Sequence, residues 1–468
     1  MTPLGYLLLP AGVVGLLFSR KWLYRLFVFW TLFSASSAAN IGEGENGSAL
    51  QIWMLFGSLW LLRLLFEHMS VFSFSLDRRI ARPSIWLIAF LLVASFSLVM
   101  PLYIDGALQI ASARLGDFSE TPLHLTPHNF TQLLYLIFGI SIAICVSQAN
   151  LSNEVRHDTE RTILLSALFV SIWGLLQFGC NLTGVPYPDY IFNNSGSVSG
   201  MGFLETLNGV SRVSSVAAEP SMFAQSLVTL LPLTFPAWLG KGYVISRQLD
   251  KFCTILFTVL LILCTSSTAY LGLLLLASLG FLMLRRTGSL SIGKTVTRAL
   301  LAGGALFLVA VLVASKVPLV RDVMNSAFLE KSSSGSALER LMTVELAFGY
   351  FKKFPLFGIG WGSATSHDLL VKLLSNVGII GTLTFIGALC SVLRRGWRSL
   401  QPFVLPIDLS RFAWLLGCAV FVVTAVISEF PLAFGNFWLI LGMAISIGWK
   451  PEVSSAPMPI FDCVECSD

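Results

Sequence analysis

Charged residues are scarce in this sequence. Asp, Glu, Lys and Arg make up 12% of the 468 residues, whereas hydrophobic residues make up 55% and the mean hydropathy is +0.79. Soluble globular domains carry about 25% charged residues, so this composition argues against an ordinary soluble enzyme and predicts an integral membrane protein. The net charge of +5 comes from basic residues dispersed over short turns, a pattern that gives no indication of nucleic-acid binding.

Residues that hold metals are also few. The sequence contains 5 His and 8 Cys, and most of the cysteines lie inside apolar runs. No His, Cys and carboxylate residues follow the spacing of a metal site, and no Asp-x-Asp pair indicates a metal-dependent nucleotide-sugar transferase. Cys463 and Cys466 form a C-x-x-C in the tail without the second pair of a zinc site. We therefore expect neither a metal nor another cofactor.

One stretch matches the sequence pattern of a nucleotide-binding loop but not the structural context that the loop needs. Residues 288–295, GSLSIGKT, fit the pattern G-x-x-x-x-G-K-T. The motif binds phosphates when it follows a strand inside a βαβ unit, whereas here it falls in a short turn between apolar runs. Lys294 is therefore interpreted as an orientation charge, and we expect no nucleotide there.

Apolar runs of membrane-spanning length recur along the whole chain. A span needs about 20 mainly apolar residues, so the pattern predicts an all-α, polytopic fold with about 12–14 transmembrane helices in one membrane domain over residues 1–468. One apolar stretch is too long for a single span, and TSSTAY at 265–270 is predicted to divide it by a turn. The predicted spans are 3–19, 23–41, 50–67, 84–104, 130–147, 162–180, 221–239, 252–266, 268–285, 298–316, 368–392, 411–428 and 431–449.

Basic residues alternate between the connections of these spans. Most Lys and Arg lie in every second connection, and the positive-inside rule assigns those connections to the cytoplasm. The N-terminus is then outside and the C-terminus inside. Two outer connections are long, 181–220 and 317–367, and loops of that length commonly carry function. Since the cytoplasmic turns are short, we expect any chemistry on the outer side.

The first long connection ends in RVSSVAAEPSMFA. Pro220 fits the first position of a helix, which puts Glu219 at the N-cap and Arg212 shortly before it. A helix N-terminus is a ready anion site, and the Arg212 guanidinium suits phosphate. Alternatively, Glu219 only complements the helix dipole and Arg212 binds lipid headgroups.

The second long connection contains a predicted helix of its own. Ser336 and Glu339 form a capping box at its start, and Arg340 lies in its first turn. An apolar stripe typical of helices on a membrane surface is formed by Leu338, Leu341, Phe348 and Phe351. Arg340 is thus either a ligand-binding residue or a solvated interfacial charge.

A glycine-rich stretch and a histidine follow this helix. Gly358 and Gly360 allow a close approach of the backbone, and His367 with Asp368 stands at the outer mouth of the span at 368–392. A neutral imidazole there can accept a proton from a hydroxyl. The alternative is a structural histidine at a membrane interface.

Taken together, these stretches resemble the O-antigen ligase and polymerase superfamily of bacterial inner membranes. The resemblance covers about residues 205–385, and the Arg…Glu-Pro-Ser form is closer to the polysaccharide polymerase branch. It implies an all-helical, membrane-embedded glycosyltransferase that works on the periplasmic face without a metal. Its substrate would be a glycan on undecaprenyl diphosphate, and its partners would be membrane lipids, a flippase and a chain-length regulator.

The resemblance also implies roles for individual residues. Arg212 and Arg340 match the family's outer-loop arginines and, with Ser221, would bind the diphosphate. His367 matches the family histidine and would be the base for the acceptor hydroxyl, while Glu219 would orient Arg212 or share that role.

Two positions depart from the family pattern. Asp368 and Asn376 stand where the family often has an amide and a glutamate. A carboxylate role at Asn376 is therefore lost, and Asp368 would replace it in part. Gly358 and Gly360 would support the site.

Other functions remain compatible with the sequence. A ligase, which transfers finished glycan to lipid A–core, would share the chemistry and differ in its acceptor. A lipid-linked sugar flippase or other transporter would need buried charges along a polar path through the spans, whereas here the acidic residues concentrate in the connections.

Overall fold

A computed structural model describes most of the chain. The described residues are 1–41, 48–69, 76–111, 119–196, 202–207, 210–286, 335–404, 407–428 and 431–448. Four predicted features lie outside them: the turn at 288–295, the span at 298–316, the first part of the second long connection at 317–334, and the C-x-x-C of Cys463 and Cys466.

The described part is predominantly α-helical. Its helices are α1 (Pro3–Phe18), α2 (Arg20–Trp30), α3 (Ile52–Met69), α4 (Arg78–Ser97), α5 (Val99–Ile104), α6 (Pro127–Ala149), α7 (Asn153–Thr183), α8 (Asp189–Phe192), α9 (Pro220–Leu230), α10 (Phe235–Trp238), α11 (Arg247–Leu263), α12 (Ser267–Arg286), α13 (Gly335–Lys353), α14 (Leu369–Ser399), α15 (Ile407–Ser428) and α16 (Gly435–Ser446). Short 3₁₀ helices cover Gly202–Leu204, Leu231–Thr234 and Pro431–Ala433. Three antiparallel hairpins pair β1 (Ser37–Ile41) with β2 (Ser48–Gln51), β3 (Gln109–Ala111) with β4 (Glu120–Pro122), and β5 (Thr206–Leu207) with β6 (Val210–Ser211).

Six of the described helical segments are long and apolar enough to cross a membrane. They are Arg78–Ile104, Pro127–Ala149, Asn153–Thr183, Ser267–Arg286, Leu369–Ser399 and Asp408–Val426. Helices α1 and α16 are apolar but shorter. The chain is therefore a helical, multi-pass membrane protein, with fewer full-length spans among its described residues than the predicted pattern.

The predicted span at 23–41 is wrong in its second half. Helix α2 ends at Trp30, and strand β1 occupies the end of the predicted span. The residues between them are rich in serine, which bonds readily to nearby backbone groups. The Ser36 hydroxyl donates to the Phe192 carbonyl at 2.5 Å, so this stretch belongs to a connection and not to a membrane helix.

Two other apolar stretches are interrupted in different ways. The turn predicted within 265–270 is confirmed, because α11 ends at Leu263 and α12 begins at Ser267. The predicted span at 221–239 is a broken run of α9, a 3₁₀ turn and α10. Pro232 lies in that turn and lacks the N–H of a continuous α-helix.

Contacts between connections define two ends of the helix bundle. At the first, called the inner end, Arg25 pairs with Asp158 at 2.5 Å and Lys21 with Glu154 at 3.1 Å. At the other, the outer end, Asn129 donates to the Trp361 carbonyl at 2.8 Å. The charge alternation also puts the partners of each pair on one side, and the described parts of both long connections belong to the outer end.

The interior is packed with large apolar side chains. Helix α4 lies along α14, and α6 lies along α16, with Trp53, Trp60, Trp414 and Trp438 fully buried in the main core. A smaller second core lies at the outer end, where the β3–β4 hairpin meets α13. Its members are Ile104, Leu108, Leu123, Tyr350, Ile359 and Ala364.

Candidate functional site

The hairpin β5–β6 fixes the first arginine of the site. Thr206 pairs with Ser211 in its register, so Glu205 and Arg212 lie opposite each other just beyond the paired strands. The Arg212 amide donates to the Glu205 carbonyl at 2.9 Å, and its Nη1 lies 2.6 Å from Glu205 Oε2. Arg212 is thus paired with Glu205 and not with Glu219, the partner expected from the sequence.

The backbone after Arg212 is held rigidly by α7. The buried Gln177 amide accepts from the backbone N–H groups of Ser214 and Ser215 at 3.0 and 2.7 Å, and donates to the Arg212 carbonyl at 3.3 Å. Ser215 has a φ of 54°, a conformation that non-glycine residues rarely adopt. This anchoring fixes the position from which the Arg212 side chain projects.

Helix α9 begins at Pro220, as predicted, and Glu219 is its N-cap residue. The Glu219 side chain makes no capping hydrogen bond to the helix. Its carboxylate accepts a hydrogen bond from the Ser221 hydroxyl at 2.9 Å and stays 40% exposed. The N–H groups of the first helical turn and the Ser221 hydroxyl therefore lie beside a carboxylate that is open to a second partner.

That second partner comes from α13, more than a hundred residues along the chain. Arg340 Nη2 lies 3.9 Å from Glu219 Oε2, close enough for an ion pair but too far for a hydrogen bond. One turn along α13, the buried Thr343 hydroxyl donates to the Arg340 carbonyl at 2.9 Å and lies 3.0 Å from His367 Nδ1. The three segments thus meet at one place.

The contacts of Thr343 are compatible with the histidine tautomer that a general base requires. A hydroxyl has one proton, and that of Thr343 is donated to Arg340. When the Thr343 proton is donated to the Arg340 carbonyl, Nδ1 of His367 is the donor of the 3.0 Å hydrogen bond to Thr343; the heavy-atom geometry allows either atom to be that donor. In a neutral imidazole with a proton on Nδ1, Nε2 has a free lone pair and can accept a proton from a ligand.

The surroundings keep this imidazole neutral. Burial lowers the pKa of His367, and the positive charges of Arg340 and Lys372 lower it further, while Glu219 and Glu339 partly oppose them. Burial raises the pKa of the Glu205 carboxyl, with Arg212 acting in the opposite direction. The site therefore combines two guanidinium groups, two carboxyl groups and one neutral base.

Gly358 and Gly360, which were predicted to support the site, lie in the loop before His367 and not among the charged groups. Gly358 and Gly360 have φ values of 66° and 105°. A Cβ on Gly358 would lie 2.4 Å from the Ser375 carbonyl oxygen, and one on Gly360 2.5 Å from Pro101 Cδ. Their close approach is to α14 and α5, which fixes the loop that leads to His367.

Asp368 and Asn376 also bond within the protein. Asp368 is the N-cap of α14 and accepts from the Val371 N–H at 2.9 Å. The buried Asn376 amide accepts from the N–H groups of Ser363 and Ala364 and donates to the Ala364 carbonyl. A glutamate has no N–H to donate, so the amide at this position serves the loop.

Glu205 and Thr343 were missed by the sequence reasoning. A signal for Glu205 was present, because Asn208-Gly209 between two short β-prone pairs is typical of a hairpin turn. That hairpin would have placed Glu205 opposite Arg212. Thr343 lies three residues after Arg340 and so shares its helix face, but no feature of the sequence links it to His367.

Two comparisons with known proteins, one with family models and one with curated proteins, gave no match. No model of a known protein family matches the chain, and no curated protein matches it significantly. The function is therefore argued from the cluster of Arg212, Glu205, Glu219, Arg340 and His367.

Proposed function

We propose that this protein is a membrane glycosyltransferase. Its reaction is the polymerisation of oligosaccharide repeat units carried on undecaprenyl diphosphate, at the periplasmic face of a bacterial inner membrane. One observation carries the proposal: Arg212, Glu219, Arg340 and His367 come from three distant segments and converge at the outer end of a membrane helix bundle. Diphosphate binding and removal of a hydroxyl proton require such a set.

The two arginines are suited to the diphosphate. Arg212 is paired through Nη1, whereas its buried Nε has no hydrogen-bond partner in the described structure. Among the described residues, the Arg340 guanidinium has one ion-pair partner, Glu219 at 3.9 Å. The Arg340 guanidinium and the exposed part of the Arg212 guanidinium offer N–H donors to phosphate oxygens, which guanidinium groups bind in a bidentate manner, and the start of α9 adds backbone N–H groups.

The reaction begins with proton transfer to His367. Nε2 accepts the proton of the acceptor hydroxyl while the oxygen attacks the anomeric carbon of the donor sugar. The bond from that carbon to the diphosphate oxygen breaks, and its electron pair stays on the diphosphate. Direct displacement inverts the anomeric centre, and no metal takes part.

Charge develops on the leaving group during this step. Undecaprenyl diphosphate departs with one more negative charge than it had as part of the donor, and His367 becomes an imidazolium. Arg212 and Arg340 stabilise the developing charge from fixed positions. Glu219 stabilises the imidazolium electrostatically until the proton passes to water, which assigns it a supporting role beside the base.

The membrane environment completes the proposal. The N-terminus is periplasmic and the C-terminus cytoplasmic, so that the outer end faces the periplasm. On α13 the apolar side chains of Leu338, Leu341 and Phe348 are exposed, which suits a helix on the membrane surface. A flippase would supply the lipid-linked repeat unit, and a chain-length regulator would be a partner.

The glycan profile of cells tests this function. We compare cells lacking the protein with cells carrying the wild type, Arg212→Ala or the control Arg247→Ala at the inner end. Removing one charge-stabilising donor typically costs roughly 10²–10³-fold in rate, so we expect Arg212→Ala to leave no ladder at normal protein level. Arg247→Ala retains the ladder.

Each outcome has a distinct meaning. A single repeat unit without a ladder in the deletion strain supports the polymerase. Long chains held on undecaprenyl diphosphate with a bare acceptor mean a ligase instead. Normal ladders in both the deletion strain and Arg212→Ala contradict glycosyl transfer for that glycan and favour transport.

A further inference from the structure

A groove runs along α13 beside the site. It has a volume of about 370 Å³ and lies between α13 and the β3–β4 hairpin. Its lining residues come from both elements and include several polar side chains: Gln109, Ala111, Glu120, Met342, Glu345, Leu346, Gly349, Tyr350 and Lys353. The groove is therefore a feature of the outer end that the proposed mechanism does not yet use.

The walls of the groove are fixed by packing. The second core joins the hairpin to α13 through Leu108, Leu123 and Tyr350. The Ala111 N–H donates to the Tyr350 hydroxyl at 2.9 Å, and Tyr350 is only 8% exposed. This hydroxyl acts as an acceptor, and no described residue accepts its own proton, which can therefore be donated to a ligand in the groove that it lines.

The charges of the groove select against anions. Within the described residues, Glu120, Glu345 and Lys353 have no ion-pair partner, and their sum is one negative charge. A phosphate or an anionic lipid headgroup would be repelled by the two carboxylates. Sugar hydroxyls instead donate to carboxylates and to Gln109 and accept from Lys353 and Tyr350, so a neutral oligosaccharide fits best.

The groove is also connected to the reacting groups. Leu346 lines it, and Thr343, three residues earlier on the same face of α13, bonds to His367. Helix residues three or four apart are about 5–6 Å apart at Cβ, so the groove starts within one helical turn of the proposed base.

We propose that the groove between α13 and the β3–β4 hairpin binds the acceptor oligosaccharide. The inference rests on the proposed function, because only glycosyl transfer makes the bound oligosaccharide an acceptor. Binding of the sugar itself does not depend on catalysis. The charges assign a different ligand to each place: the arginine cluster binds the diphosphate, and the acidic groove binds the sugars.

A binding experiment with a lipid-free probe tests the groove alone. The probe is the repeat-unit oligosaccharide that mild acid releases from the undecaprenyl diphosphate of the source bacterium, so it carries no phosphate. Its binding to the purified full-length protein in detergent is measured by calorimetry for wild type, Glu345→Ala, Glu345→Gln and Glu120→Ala. Lys352→Ala, on the same helix but outside the groove, is the control.

The expected results are specific. Glu345→Ala and Glu120→Ala each weaken binding roughly 10- to 100-fold, the range for losing a hydrogen bond to a charged group. Glu345→Gln keeps an acceptor and loses less, while the control Lys352→Ala binds as the wild type does. Thermal unfolding of each variant checks that the fold is retained, and Glu345→Gln serves if Glu345→Ala fails to fold.

Contrary results separate the two proposals. If the probe does not bind the wild type, or binds all groove variants equally, the groove is not a sugar site. Competition by inorganic pyrophosphate at the groove would also overturn the inference, because it would indicate an anion site. If the probe binds as expected while Arg212→Ala makes normal polymer, the result supports sugar binding in the groove and contradicts the proposed reaction.

Discussion

Carboxylates at the two ends of the bundle are treated differently by the fold. At the inner end, Asp250 is fully buried and accepts from the N–H groups of Val244 and Ile245 at 2.6 and 3.2 Å. Glu160 is 6% exposed and accepts hydrogen bonds from Trp414 and from Ser410. These donors are fixed parts of the protein.

The outer carboxylates are more open. Glu205 and Glu219 are 37% and 40% exposed, and the ion pair of Glu219 to Arg340 is 3.9 Å long. Buried polar groups are normally fully hydrogen-bonded when their role is structural. The contrast indicates that Asp250 and Glu160 stabilise the fold, and the exposure of Glu205 and Glu219 supports the ligand-binding role proposed for their cluster.

Loss of the proposed base tests the outer end with the largest expected effect. We predict that His367→Ala lowers the transfer rate roughly 10²–10⁴-fold, the usual contribution of a general base. The thermal midpoint should stay close to that of the wild type. His124→Ala, at an exposed histidine of the same end, is the control; normal transfer by His367→Ala would remove the base assignment.

A smaller loss is expected when the histidine is kept but its partner is removed. Thr343→Val deletes the hydrogen bond to Nδ1 and should slow transfer roughly 10- to 100-fold, the range that such partners contribute at metal-bound histidines. Thr343→Ser keeps the hydroxyl and should restore most of the rate. A purely structural threonine would give equal losses in both variants, which the measured turnover numbers distinguish.

The inner end should respond in stability and not in chemistry. Glu160→Ala leaves the Trp414 N–H and the Ser410 hydroxyl without their acceptor, at about 1–3 kcal/mol for each buried group. We expect a lower unfolding midpoint in detergent but an unchanged rate per folded molecule. Exposed Glu154→Ala, which loses only a surface ion pair, should change stability by about 0–1 kcal/mol. A lower rate per folded molecule in Glu160→Ala would contradict a purely structural role for Glu160.

The pH dependence gives the smallest and most directional effect. His367 must be neutral to act as a base, and burial lowers its pKa from the usual 6.5, so the rate should fall only as the pH drops through that lowered pKa. Arg340→Gln removes a positive charge that lowers the pKa, so the acidic limb should move to higher pH. Glu339→Gln removes a charge that raises it and should move the limb to lower pH. Rate profiles over pH check both signs, and shifts in the same direction would contradict the electrostatic account.

Local sequence signals predicted local structure well. The start of α9 at Pro220 and the turn between α11 and α12 depend on residues next to one another: a proline that lacks an N–H, and polar residues in a long apolar run. The apolar run at 23–41 misled because the serines at its centre bond to a distant connection near Phe192, and hydropathy does not register such a contact.

Pairings within the site were harder to predict. The resemblance implied that Glu219 would orient Arg212 or share the base role, yet the β5–β6 hairpin presents Glu205 to that arginine. Gly358 and Gly360 were expected to allow a close approach of the backbone, without a predicted partner, and the structure shows that they approach α14 and α5. In both instances the residue type indicated that a contact would form, but the sequence did not predict which residue or helix would make it.

The sequence by itself determined that this is a helical membrane protein, because hydropathy and helix signals act over one or two turns of chain. The tertiary structure alone decided that Glu219 meets Arg340 and that Thr343 meets His367. Such pairs depend on how separate helices pack against each other, and the energy of that packing is spread over many distant contacts. No short stretch of residues carries that information.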